Sequence, residues 1–264
     1  MNPVDIRSAA KRLSLSRLNG TVIQNLPSRY RPINETEAYL IQDDLHEILG
    51  QTKLGEVVGH KIGCTTSVMQ DFLNIRNPCA GGIFGPTSHH LAGTFEYKIY
   101  RHVGVECEIA VRLCEPLGSG CGSNSAESVG GAVAEVMPAI EIVDDRYEDY
   151  ASLGAPTLIA DDFFDAGCVL GNPRKDWHSL DLVSLNGRMH INGAKVGCGR
   201  GGDIMGHPFQ ALAWLAESFA TRGKVLTPGQ FVLLGSVVET KWVQRGDLVE
   251  IEIDGLGKAK AQFL

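Results

Sequence analysis

Three glutamates draw attention because each sits inside an apolar stretch. In Val103-Gly104-Val105-Glu106-Cys107-Glu108-Ile109-Ala110-Val111, the residues Val105, Cys107, Ile109 and Val111 share one parity, and Glu106 and Glu108 share the other. That alternation predicts a half-buried β-strand with both carboxylates on one face, about 7 Å apart. Such a pair on its own reads as a solvated face. Glu141 changes the balance, because it stands in the otherwise apolar run Pro138-Ala139-Ile140-Glu141-Ile142-Val143. A lone anion there costs roughly several kcal/mol unless it is paired or bound to a cation. Two glutamates on one strand and one on another form a hard-oxygen donor set suited to Mg²⁺ or Mn²⁺. Lys61 lies in Val57-Val58-Gly59-His60-Lys61-Ile62-Gly63. Most lysines decorate surfaces, but flanking glycines permit close approach of a ligand. A partly buried lysine is also the type whose pKa shifts toward acid–base work.

The bulk properties narrow the class of protein that must position these groups. A chain of 264 residues, 44% hydrophobic and 21% charged, fits one large globular domain, or a small one plus a large one. The net charge of -7, with no basic run to offset it, argues against nucleic acid as a partner. No apolar stretch reaches the length of a membrane span, and the first residues lack a secretory apolar core. The seven cysteines are scattered and form no C-x-x-C, which points to reduced thiols in a cytoplasmic protein.

The positioning elements follow from periodicity and punctuation. An amphipathic helix is expected over about residues 3–18, ending near Gly20. A second opens at Asn34, with Glu37 closing a capping box, and ends at Gly50. Around Lys61 a short strand leads into a helix capped by Thr66, with Val68, Met69 and Phe72 packing inward. Residues 76–90 read as a loop with at most a short strand at Ile83-Phe84. Ala126 to Val136 reads as a helix that Pro138 ends, and the run from Asp144 to Asp149 as a solvated turn and helix. Ala166 to Gly171 reads as a buried strand. The two Asn-Gly pairs, at 186–187 and 192–193, predict tight turns of a β-meander. A helix is expected from Pro208 to Gly223, then strands at 231–234 and 248–253 with a hairpin at Asp254-Gly255. Two leading helices followed by mixed strands predict an α+β fold. Gly199-Arg200-Gly201-Gly202 lacks the lysine and serine of a phosphate loop, and His89-His90 lacks a third metal ligand. Cys107 falls on the core-facing parity between two anions, which favours packing over nucleophilic work.

Together, Gly59-His60-Lys61-Ile62-Gly63 with Thr65, Glu106-Cys107-Glu108-Ile109-Ala110 and Pro138-Ala139-Ile140-Glu141-Ile142-Val143 resemble the 2-keto-4-pentenoate hydratase family. That family belongs to the fumarylacetoacetate hydrolase superfamily, which also includes the 4-oxalocrotonate decarboxylases. Further stretches run in the same order along the chain, among them Ala160-Asp161, Gly206-His207-Pro208 and Leu234-Gly235-Ser236. The resemblance implies a mixed, curved β-sheet roll over residues 76–264 behind a small helical part over 1–75, assembled as a homodimer or higher homo-oligomer. It implies Glu106, Glu108 and Glu141 as metal ligands, Lys61 as the active-site lysine, and Asp162 and Ser236 as contacts of a small 2-oxo acid substrate. The bound cation would chelate that substrate as a Lewis acid. The implied reaction is hydration of a 2-hydroxy-2,4-dienoate in aromatic meta-cleavage catabolism. Decarboxylation of a 2-oxo-enedioate, C–C hydrolysis of an acylpyruvate and non-catalytic binding of 2-oxo acids remain open beside it. Two departures bear on that choice. Cys79-Ala80 stands where the hydratases carry an acidic residue, and Asp162-Phe163-Phe164 stands where they carry Asn-Ala-Ser.

Overall fold

The structure, a computed structural model, describes residues 1–264, apart from the side chains of Ser67, Val68 and Phe72. The helices are α1 (Pro3–Asn19), α2 (Glu35–Gly50), α3 (Ser67–Leu73), α4 (Ala126–Gly130), α5 (Tyr150–Leu153), α6 (Ala155–Ala160) and α7 (Pro208–Thr221). The first eight strands are β1 (Val57–Gly63), β2 (Cys79–Phe84), β3 (Ser88–His90), β4 (Ala92–Phe95), β5 (Val103–Leu113), β6 (Leu117–Gly118), β7 (Val133–Asp144) and β8 (Asp165–Leu170). They are followed by β9 (Asn186–Ile191), β10 (Ala194–Arg200), β11 (Val225–Leu226), β12 (Phe231–Trp242), β13 (Leu248–Ile253) and β14 (Gly257–Phe263). The fold is α+β, as the order of elements predicts.

A seven-stranded mixed sheet, ordered β2-β1-β12-β5-β7-β8-β3, carries the candidate site. A five-stranded sheet, β10-β9-β13-β14-β4, packs on its other face. The contact is close at Gly187 of β9, where an added Cβ would meet Val237 Cγ2 at 2.5 Å and Cys107 Sγ at 3.3 Å. The odd parity of β5 therefore faces the second sheet. The even parity faces a small apolar cluster that includes Ala110, Met137, Ala139 and Leu233. The sheet centre is thus buried on both faces, and the half-buried reading of β5 is corrected. The acidic pair is no solvated rim, since Glu108 is fully buried.

The helical part is bound to this sheet rather than set apart from it. Asn2 caps α1 by accepting from Asp5 N, and Gly20 closes it at φ 62°. Asn34 caps α2 by accepting from Glu37 N. The Glu37 carboxylate, however, accepts from Ile33 N, so the expected capping box forms on one side only. Gln42 of α2 donates to the carbonyls of Ala80 and Ile159, tying α2 to β2 and α6. Strand β1, which falls within the expected N-terminal part, lies between β2 and β12, so the sheet crosses the boundary drawn at residue 75.

Other expectations are also corrected. Residues 79–84 form a fully buried strand, not a loop. Its glycines are there for contact: an added Cβ at Gly81 would meet the Asp162 carbonyl oxygen at 2.5 Å, and one at Gly82 would meet the His46 ring at 2.7 Å. The helix from Ala126 stops at Gly130, and β7 runs straight through Pro138. The Pro138 carbonyl accepts from Gly171 N just beyond the last β7–β8 pair, Ala139 with Leu170, so its missing N–H falls at the end of that ladder. Asn186-Gly187 begins β9 instead of turning, whereas Asn192-Gly193 does turn, with both φ angles positive. The run after Val143 is solvated only at its end: Glu148 and Asp149 are exposed, but Asp144 is buried and accepts from the Arg101 and His102 amides. In α3, Thr66 makes no side-chain cap bond, and Met69 is 43% exposed rather than packed inward. The expectation for Val68 and Phe72 lies outside the described side chains. Among the described residues, no helix is long and apolar enough to cross a membrane.

The tight seat of Gly81 makes it a test of this packing. Gly81→Ala forces β2 away from Asp162 and is expected to cost about 1–3 kcal/mol, read as a lower urea midpoint at unchanged slope. An unchanged midpoint would contradict the contact.

Candidate functional site

Strand register alone gathers the charged groups. In the β5–β7 ladder Glu106 lies directly opposite Glu141, and Glu108 opposite Ala139. Paired residues share a face, so all three carboxylates point the same way. Lys61 reaches that face through two further ladders, since it pairs with Leu233 of β12, which pairs with Ala110 of β5. Oxygens of Glu106, Glu108 and Glu141, one from each, lie within 4.8 Å of one another. Lys61 Nζ stands 2.8 Å from Glu141 Oε1, with both side chains almost fully buried. The contact is an ion pair without the alignment of a hydrogen bond.

Neighbouring strands hold the acids in place. Between Leu233 and Ser236 the β12 register slips, and Gly235, at φ 125°, turns its N–H to Glu108 Oε2 at 2.8 Å. The Thr240 hydroxyl donates to Glu106 Oε1. Even so, Glu108 Oε1 and Glu141 Oε2 are buried without a hydrogen-bond partner. Burial first, and then Glu141, pushes the Glu106 pKa up to about 7. Burial, Glu141 and Glu106 raise that of Glu108 well above the carboxylate range. Burial by itself would depress Lys61, but Glu141, Glu106 and Glu108 outweigh it and hold the ammonium above its usual range. The expected drift of Lys61 toward neutrality is therefore reversed: it is a firm cation. One cation cannot balance three acids, and the two orphaned oxygens are hard donors. The donor set therefore fits a divalent cation bound by Glu106, Glu108 and Glu141.

Glu106 and Lys61 open onto a cavity of about 480 Å³, while Glu108 and Glu141 are buried and do not line it. Its lining includes Cys64, Thr65, Met69, Tyr150, Phe163, Phe164, Ser236, Thr240 and Trp242. Ser236 thus stands at the cavity, with its hydroxyl donating to the Cys107 carbonyl at 3.3 Å and also to Val238 O. Asp162 does not line it. Its Oδ2 accepts from Arg17 Nη1 at 2.6 Å, while its Oδ1 lies 2.6 Å from His46 Nε2 and accepts from Gly82 N at 2.9 Å. With both oxygens engaged and the residue fully buried, the expected substrate contact at Asp162 is corrected to a structural clamp. Burial opposes its ionisation, but His46 and Arg17 prevail and hold it well below the usual carboxylate range. Cys79 is a buried thiol, raised by its neighbour Cys64 and by burial, so it supplies no charge in place of an acid.

Residue-type reasoning missed Thr240, the Gly235 amide and the aromatic wall of Phe163 and Phe164. Thr240 had a faint signal, sharing the parity of Ser236 along β12; the other two depend on backbone conformation. Replacing Glu141 by Gln is expected to weaken Mn²⁺ binding by more than about a hundredfold in calorimetry, beyond the usual cost of disturbing groups behind the ligands. Retained affinity would exclude Glu141 as a ligand.

Known proteins share both sequence and fold with this chain. It is 31% identical to 2-keto-4-pentenoate hydratase of Paraburkholderia xenovorans, across 100% of this chain and 96% of the relative. It is 30% identical to 2-hydroxyhexa-2,4-dienoate hydratase of Comamonas testosteroni, across 98% of this chain and 97% of the relative. The solved structure of 4-oxalocrotonate decarboxylase from Pseudomonas putida, complexed with magnesium and adipate, superposes with a TM-score of 0.92 at 24% identity, covering 100% of this chain and 99% of that one. Residues 78–264, which include all three glutamates, match the fumarylacetoacetate (FAA) hydrolase C-terminal family. By that match, and by its full-length similarity to the hydratases, the chain belongs to the fumarylacetoacetate hydrolase family.

Proposed function

We propose that this protein is a divalent-metal-dependent hydro-lyase that converts a 2-hydroxy-2,4-dienoate, through its 2-oxo tautomer, to a 4-hydroxy-2-oxo acid. Such dienoates arise in meta-cleavage catabolism of aromatic compounds. The observation that carries this reading is the gathering of the Glu106, Glu108 and Glu141 carboxylates within 4.8 Å of one another beside the buried Lys61, with Glu106 and Lys61 lining one cavity. The hydratases among its full-length relatives support it.

A Mg²⁺ or Mn²⁺ ion held by Glu106, Glu108 and Glu141 would supply Lewis acidity toward the carboxylate and 2-oxo oxygens of the substrate. Lys61 is a cation beside these oxygens, suited to steady the substrate carboxylate and the negative charge that develops on the 2-oxygen during ketonisation. Thr240 and the Gly235 amide keep Glu106 and Glu108 oriented as ligands. The Ser236 hydroxyl, its proton engaged by backbone carbonyls, would meet the substrate from the cavity lining as an acceptor. The aromatic lining limits bulk water, so the water that adds to the distal double bond enters a largely dry site. The seven free cysteines fit a reducing cytoplasm. Assembly as a homodimer or larger homo-oligomer belongs to the same reading and is checked by light scattering.

The direct test follows the ultraviolet absorbance of 2-hydroxypenta-2,4-dienoate with and without Mg²⁺ or Mn²⁺. Metal-dependent decay to 4-hydroxy-2-oxopentanoate is expected; no decay by a metal-loaded protein overturns the hydratase reading. Lys61→Ala is expected to keep the fold and metal binding while lowering turnover by at least about a hundredfold. Wild-type rates in that variant remove Lys61 from the mechanism.

A further inference from the structure

Among the described residues, the cavity lining carries a single cation, Lys61, and the other charged groups, Glu106, Asp203 and Glu239, are acids. The remaining lining is dominated by Ile62, Met69, Leu73, Val143, Phe163 and Phe164. Its volume of about 480 Å³ falls within the roughly 300–1,000 Å³ of sites for drug-sized ligands, which leaves room for more than a five-carbon acid.

The aromatic wall is built, not incidental. Asp162, Phe163 and Phe164 are consecutive residues at φ 57°, 48° and 68°, a left-handed run that side chains rarely adopt. The Asp162 clamp to Arg17 and His46 anchors its first residue, and Phe163 N donates to Leu158 O at 2.8 Å. The run sets the Phe163 ring 5.2 Å from Lys61 Nζ, above Gly63, where an added Cβ would strike that ring at 2.8 Å. Phe164 continues the wall, edge-on to Phe163 at 5.3 Å and to Tyr150 at 5.4 Å.

We infer that the site selects monocarboxylic substrates whose far end is apolar, alkyl or aryl, and rejects those that end in a second carboxylate. The inference rests on the 2-oxo acid reading above. Once the substrate's first carboxylate and oxo group occupy the metal and Lys61, a second carboxylate would lie against Phe163, Phe164 and Met69. There it would lose hydration without gaining a cation.

Calorimetric binding of two unreactive six-carbon acids to the Mn²⁺-loaded protein tests this without turnover. 2-Oxohexanoate is expected to bind at least about tenfold tighter than 2-oxoadipate, which differs by its terminal carboxylate. Equal or tighter binding of 2-oxoadipate overturns the inference while leaving the functional reading intact. Binding of neither acid overturns both. Met69→Arg adds a cation on a half-exposed helical position and is expected to bring the ratio below about threefold. Phe164→Ala is expected to weaken 2-oxohexanoate more than 2-oxoadipate. A ratio unmoved by both substitutions removes these residues as its cause.

Discussion

Holding three carboxylates within 4.8 Å of one another, with Glu108 and Glu141 fully buried, is costly, and much of the architecture answers it. Like charges in a low-dielectric interior repel strongly, and each also loses hydration. Lys61 neutralises one of them, while the Thr240 hydroxyl and the Gly235 amide each support another. These groups leave a deficit of positive charge and two unpartnered oxygens. The pKa values of Glu106 and Glu108 are raised for that reason. A divalent cation would remove the deficit and satisfy the oxygens together.

The sheet makes this arrangement possible because it is buried on both sides. A strand with one wet face would solvate Glu106 and Glu108, and their tendency to take up a cation would fall. The five-stranded sheet lies against Cys107, while on the acid face the Phe163 ring stands over Lys61 and Gly63. A second buried charge system supports that enclosure. Arg17 of α1 meets Asp162, Asp161 and Asp165, and Arg146 donates to Asp161 and to the Asp165 carbonyl. This network fastens the first helix to the loop that carries Phe163 and Phe164. Helices α1 and α2 therefore shape the cavity wall from behind, and α3 lines it with Met69 and Leu73.

Legibility varied with how local the cause was. The alternation in β5, the end of α1 at Gly20, the Asn34 cap of α2, the start of α7 at Pro208 and the turn at Asn192-Gly193 are local effects, and these formed as read. Strand β2 was opaque because its glycines look like loop punctuation. They are there because Asp162 and His46, distant in sequence, press against the backbone. The same holds for Gly199 and Gly201, where an added Cβ would meet carbonyl oxygens of Val237 and Leu182 at 1.8 and 1.9 Å. Pro138 read as a helix stop, although its strand needs no N–H at that end of the ladder.

Residue types and their spacing determined the identity of the acids and of the lysine, because anions and a lysine in apolar stretches demand an explanation wherever they lie. Only the tertiary structure decided that register sets Glu106 opposite Glu141 and brings Lys61 across two ladders to the same face. It also decided that Lys61 is held as a cation and that Asp162 clamps a loop instead of touching the cavity. A pKa and a side chain's reach depend on charges and partners far away along the chain, and those distances exist only once the strands have paired.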